Sequence, residues 1–150
     1  MHELKFRKRH QYDNRQDGIT VPVLLRTVGM SIDLLAKIDT GAEDCLFERA
    51  YAEALEIRVE DGIRRAFRTA NSRFEAFGHE LTLEVLGMEF SSMIYFFADT
   101  GITKNVLGRR GYLDRVRFGL IEHDSILFCS TYDDGEDRGF GLRLSRRKGS

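Results

Sequence analysis

The sequence predicts an all-β barrel carrying one or two short helices. Runs rich in β-branched and apolar residues recur along the chain, bounded by turn signals about every 8–12 residues. Only two stretches read as helix, and both are short. At 150 residues, 42 % apolar and 31 % charged, the chain suits one soluble globular domain with a real core.

The elements follow in order. Residues 1–18 are polar and basic, with apolar anchors at Leu4, Phe6 and Tyr12, and form a loose arm or a first edge strand. Residues 19–28 are a strand, returned by 31–38 across the turn signal Gly29-Met30. Pro22 has no amide hydrogen to donate, which suits an edge or a strand end. Over 47–57, Ala50, Tyr51, Ala54 and Leu55 fall at helical spacing. Strands 64–68 and 80–86 flank a polar stretch, 69–73, as a long hairpin with a solvated tip. Its second arm alternates Leu81, Leu83 and Val85 with Glu80, Thr82 and Glu84. Strand 90–97 follows Gly87-Met88, then a loop over 99–105. Val106-Leu107 is a short buried strand, 109–114 a second short helix, and 116–121 with 125–129 a final hairpin. Residues 140–144 read as one more strand. The main domain is therefore 19–130, between the arm and a charged tail at 131–150.

Composition excludes several classes of function. A net charge of −1 gives no global attraction to nucleic acid or membrane. No apolar run approaches the ~18 residues of a membrane span, and residues 2–10 are too charged for a secretory signal. Two cysteines, Cys45 and Cys129, are too few for a disulfide scaffold and read as small core residues, so the expected compartment is cytoplasmic. No histidine or cysteine pair has metal-ligand spacing, and neither a metal nor a cofactor is expected. His79 and His123 read as surface residues. The tail carries acids at 133, 134, 136 and 137 and then five basic residues from Arg138 onward, which reads as a solvated end.

The chemistry is expected at Asp39. An apolar run ends at Ile38 and Asp39-Thr40-Gly41-Ala42 follows at once, placing a carboxylate at a strand end in a tight turn. The Thr40 hydroxyl can bond across such a turn, Gly41 lets backbone approach closely, and Ala42 leaves room for a substrate. A second segment, Asn105-Val106-Leu107-Gly108-Arg109, lies 66 to 70 residues beyond Asp39. Together these segments resemble the retropepsin-like aspartic proteases. The resemblance spans about residues 19–129, and the pattern looks closer to bacterial or other cellular members than to viral ones.

The resemblance implies a retropepsin-like barrel acting as a homodimer on a peptide or protein substrate. It makes Asp39 the catalytic residue and gives Thr40 a bond to the partner's loop. Glu43 would pair with Arg109 to brace the active-site loop, with Val106, Leu107 and Gly108 in support. The hairpin over 69–78 would be a flap, with Ala70, Asn71 and Ser72 near its tip. Two carboxylates about 3 Å apart cannot both ionise, so they share a proton; one activates water while the other polarises the carbonyl. One chain offers one such aspartate, hence the two-fold dimer. The second Asp-Thr-Gly, at Asp99-Thr100-Gly101, is followed by no apolar-apolar-Gly segment at the required distance, and Asp99 reads as a turn residue. The flap tip lacks a glycine cluster, and the long charged termini imply a dimer interface built differently from the viral one.

Two readings rival catalysis by this chain on general substrates. One is a non-catalytic dimerisation or peptide-binding module of the same fold. The other is a protease confined to itself or to one protein. A thiol protease at Cys45 and a phosphate site at Arg109-Arg110 lack supporting residues.

Overall fold

A computed structural model describes residues 1–134; the strand expected over 140–144, and most of the charged tail, lie outside them. The strands are β1 (Lys8–Gln11), β2 (Thr20–Thr27), β3 (Met30–Ile38), β4 (Cys45–Phe47), β5 (Ile63–Arg68), β6 (Arg73–Val85), β7 (Met88–Phe97), β8 (Val106–Leu107), β9 (Val116–Ile121) and β10 (Ile126–Thr131). One α-helix, α1 (Arg49–Ala54), lies between β4 and β5. Six strands close into a barrel in the order β2-β3-β8-β4-β7-β6, with β2 pairing back onto β6 and β5 extending β6 as a hairpin. Closure leaves those six strands paired on both sides, so the barrel offers few free edges. β1, β10 and β9 form a separate three-stranded sheet, so the N-terminal arm supplies an edge strand.

Two apolar clusters organise the interior, and strict alternation assigns residues to them. In β2, Val21, Val23 and Leu25 are buried, as are Leu81, Leu83 and Val85 in β6. β8, β4 and β7 lie side by side and are apolar on both faces. Leu107, Cys45, Phe47, Ile94 and Phe96 enter the main core, whereas Val106, Leu46, Tyr95 and Phe97 enter a smaller second cluster. The period of two in a strand makes this division possible. Each fully buried large side chain contributes roughly 1.5–3 kcal/mol.

Three expectations need correction. The helix expected over 47–57 is only Arg49–Ala54. Phe47 belongs to β4, wedged between β7 and β8, and three residues are too few to carry a periodic signal. The helix expected over 109–114 is a single 3-10 turn, Leu113–Arg115, because Gly111 sits at φ +102° and interrupts any helix there. β6 starts at Arg73 rather than residue 80, since Phe74 and Ala76 pack on the second cluster. β2 is an interior strand, yet Pro22 fits because pairing with β6 begins only at Val23.

Candidate active site

The end of β3 positions Asp39. Parallel pairing of Lys37 with Val106 and of Ile38 with Leu107 fixes the register. The Asp39 amide donates to the Leu107 carbonyl at 3.0 Å, and Lys37 N–H donates to Asn105 O at 2.9 Å. The turn then closes locally: Gly41 N–H donates to Asp39 Oδ1 at 3.0 Å and Ala42 N–H to Asp39 O at 3.2 Å. Arg109 N–H reaches Ala42 O at 2.9 Å and Arg110 N–H reaches Glu43 O at 2.8 Å. β8 is thus threaded between the strands on either side of the Asp39 loop. Asn105 ties this assembly to the start of α1, accepting from Glu48 N–H at 3.0 Å and donating from its side chain to the Glu48 carboxylate.

Gly108 has a steric role. A Cβ there would stand 2.1 Å from Asp44 O, 2.6 Å from Asp44 C and 2.8 Å from Ala42 O. All three are backbone atoms of the loop, so only glycine lets β8 pass this close.

Opposite the loop stands the β5–β6 hairpin. Its tip is closed by Thr69 N–H donating to Ser72 O at 2.8 Å and Ser72 N–H to Thr69 Oγ1 at 3.1 Å. Just behind the tip, the Phe67 and Phe74 rings stack with centroids 5.4 Å apart, and Phe74 meets Phe97 edge-on at 5.2 Å. A cleft of about 850 Å³ separates hairpin from loop. Asp39, Gly41 and Ala42 form one side, and the second apolar cluster supplies a wall of Leu46, Phe97, Ile102 and Val106.

Of the residues expected at the site, this cleft gathers Asp39, Gly41, Ala42, Glu43, Val106 and Ser72. Leu107 and Gly108 are buried behind the loop, Thr40 is exposed beside it, and Ala70 and Asn71 are exposed at the hairpin tip without lining the cleft. Asp99 accepts from Gly101 N–H at 2.7 Å, a local turn outside the cleft. His79 is not a surface residue; it is half-buried, with Nε2 2.9 Å from Val59 O.

The brace on the loop differs from the expected Glu43–Arg109 pair. Arg110 Nη2 lies 3.1 Å from Glu43, and Arg65 Nη2, from β5, lies 3.0 Å from the same carboxylate. The more buried member is Asp44, 4 % exposed, held by Arg65 Nη1 at 2.5 Å and Arg110 Nε at 3.5 Å. Asp44 and Arg110 are bridge partners in parallel register, so their side chains share a face, and Arg109, one residue away, faces elsewhere. Arg65 also lies over the Phe67 ring, 4.9 Å from its centroid. The arginines are partly exposed, so solvent screens these pairs. Asp44→Ala should cost about 1–2 kcal/mol in urea unfolding, and Glu43→Ala or Arg109→Ala about 0.5 kcal/mol or less. An equal loss at Asp44 and Arg109 would contradict this brace.

Both cysteines are fully buried. Burial pushes the Cys45 thiol up to about 12 and raises Cys129, and it raises the Tyr112 phenol as well. A thiolate nucleophile at Cys45 is therefore excluded near neutrality. Because these groups are raised by folding, the stability they contribute is complete below the unfolded thiol range. It is lost as pH climbs through about 9 toward 12. Disulfide-exchange reagents at pH 8 should leave the folded protein unlabelled and label both thiols after denaturation.

No family model matches the sequence. A 116-residue stretch is 27 % identical to the transcriptional regulatory protein CiaR of Streptococcus pneumoniae, covering 68 % of this chain; the chain spans about half the length of that relative. Among solved structures, the EIAV protease bound to an inhibitor superposes with a TM-score of 0.49 at 21 % identity, over 65 % of this chain and 86 % of its own. A retropepsin-like aspartic protease from Rickettsia conorii superposes with a TM-score of 0.59 at 19 % identity, over 83 % of this chain and 98 % of its own. The chain therefore has the retropepsin-like all-β fold, with the Asp39 loop and the β5–β6 hairpin on either side of its cleft.

Proposed function

We propose that this protein is an aspartic endopeptidase that works as a homodimer. The observation that supports it most is the place of Asp39: at the end of β3, in an Asp-Thr-Gly turn, facing an apolar-walled cleft beneath a β-hairpin. Among the described residues, the only hydrogen-bond partner of the Asp39 carboxylate is the Gly41 amide; in this reading the partner subunit supplies the second carboxylate. Across the two-fold axis the pair shares one proton. The ionised carboxylate takes a proton from water, the water oxygen attacks the scissile carbonyl, and the protonated carboxylate donates to the carbonyl oxygen. The tetrahedral intermediate then collapses with protonation of the leaving amine, and no covalent enzyme intermediate forms. Exposed Thr40 bonds to the partner's loop, and the hairpin carrying Ser72 closes over substrate and excludes water. Phe67, Phe74 and Phe97 favour apolar side chains beside the scissile bond. Two unpaired thiols suit a reducing, cytoplasmic compartment.

The test is digestion of a mixed peptide library across a pH series, read by mass spectrometry. Cleavage at defined sites, falling at alkaline pH as the shared proton is lost, is the expected result. Silence at every pH from a protein that is dimeric in solution would favour a peptide-binding module instead.

A further inference from the structure

Charge around the cleft is unevenly satisfied. Five ionisable side chains other than Asp39 bear on it: Glu43, Arg65, Arg68 and Lys104 line it, and Arg73 stands directly across β5–β6 from Arg68. Glu43 and Arg65 neutralise each other at 3.0 Å. The neighbouring Arg64 is paired with Glu75. Arg68, Arg73 and Lys104 are exposed and have no carboxylate partner among the described residues. Like charges directly opposite on adjacent strands repel, so the Arg68–Arg73 pair is a place where an incoming anion relieves repulsion. Lys104 faces the same cleft from the loop before β8, on the Asp39 side.

We propose that Arg68 and Lys104 form a cationic subsite that receives an acidic side chain of the substrate. The ligand class is a peptide with an apolar residue for the Phe67, Phe74 and Phe97 wall and an aspartate or glutamate within the same cleft. This reading rests on the proposed peptide-binding role of the cleft and adds its charge preference. The two cations stand on opposite sides, one on the hairpin and one on the loop before β8. An acidic residue bound between them would also hold the hairpin down on the substrate.

The experiment separates recognition from catalysis by measuring binding to the Asp39→Asn protein, which leaves the peptides uncleaved. Three fluorescent peptides share an apolar core and differ only in flanking residues: Glu, Gln or Lys. Tightest binding is expected for the Glu peptide, roughly tenfold over the Gln peptide at low salt. That preference should shrink toward unity in 0.5 M salt, because exposed pairs are screened. Arg68→Gln with Lys104→Gln should erase it, and Arg68→Glu with Lys104→Glu should transfer it to the Lys peptide. Equal binding of the Glu and Gln peptides, or an acidic preference unchanged in the charge-reversed protein, overturns the subsite. Binding with acidic preference but no cleavage by wild type would sink the protease reading while leaving the subsite intact. Cleavage by wild type with no acidic enrichment would do the reverse.

Discussion

Replacing Asp39 by asparagine is expected to abolish peptide cleavage, by about a thousandfold or more, with no measurable loss of fold. The size follows from the proposed role: general acid–base transfer contributes roughly 10²–10⁴ in rate, and in the proposed dimer both carboxylates are Asp39, so the substitution removes acid and base together. An amide can neither share the proton nor accept one from water. The fold is spared for a local reason. The Asp39 carboxylate accepts one bond from the Gly41 amide at 3.0 Å, and an asparagine carbonyl accepts the same bond. Main-chain pairing to Leu107 does not involve the side chain. Circular dichroism and thermal melting should match wild type while the cleavage rate collapses. A variant that keeps a tenth of the activity would place the chemistry elsewhere.

Gly108→Ala is expected to be the most damaging single methyl at the site. The added Cβ would lie 2.1 Å from Asp44 O and 2.8 Å from Ala42 O. Neither oxygen can move freely. Ala42 O accepts the Arg109 amide, and Asp44 is bridged to Arg110 and held by two arginines. Overpacking against backbone should cost about 3 kcal/mol, or roughly 6–12 °C in melting temperature for a domain of this size. The strain is transmitted to the Asp39 loop, so activity should fall with stability. Unchanged melting would mean that β8 does not thread the loop this closely.

Much of this arrangement is legible in the sequence, and the limits have physical causes. Residues 80–86 read correctly as strand because alternation of Leu81, Leu83 and Val85 reports one buried face, but their partner did not: β5 pairs with residues 73–78, while Leu81, Leu83 and Val85 lie opposite β7. Val106-Leu107 reads as a strand, and its parallel pairing with the end of β3 holds the Asp39 turn beside it. β4 was not legible because three residues between two partners carry no period. The aromatic wall was not legible either. Phe67, Phe74 and Phe97 come from three strands and meet only through the register of β5, β6 and β7. The choice between Arg109 and Arg110 depends on which face of an extended segment meets Asp44, and a shift of one residue reverses that face. Asp44 itself sits one place after Glu43, in a run where nothing local marks the buried member. That Arg68 and Lys104 have no carboxylate partner among the described residues is likewise invisible until the carboxylates of the neighbouring arginines are accounted for.

The need for an Asp39 from each of two subunits separates the proposed dimer from a self-sufficient chain. It is tested most directly by unfolding wild-type and Asp39→Asn protein together in varied ratios, refolding them as mixed dimers, and measuring cleavage of one peptide. Activity proportional to the square of the wild-type fraction is expected, so an equal mixture retains about one quarter. Activity linear in that fraction, with about one half retained at equal mixture, or no cleavage at any ratio, would contradict it.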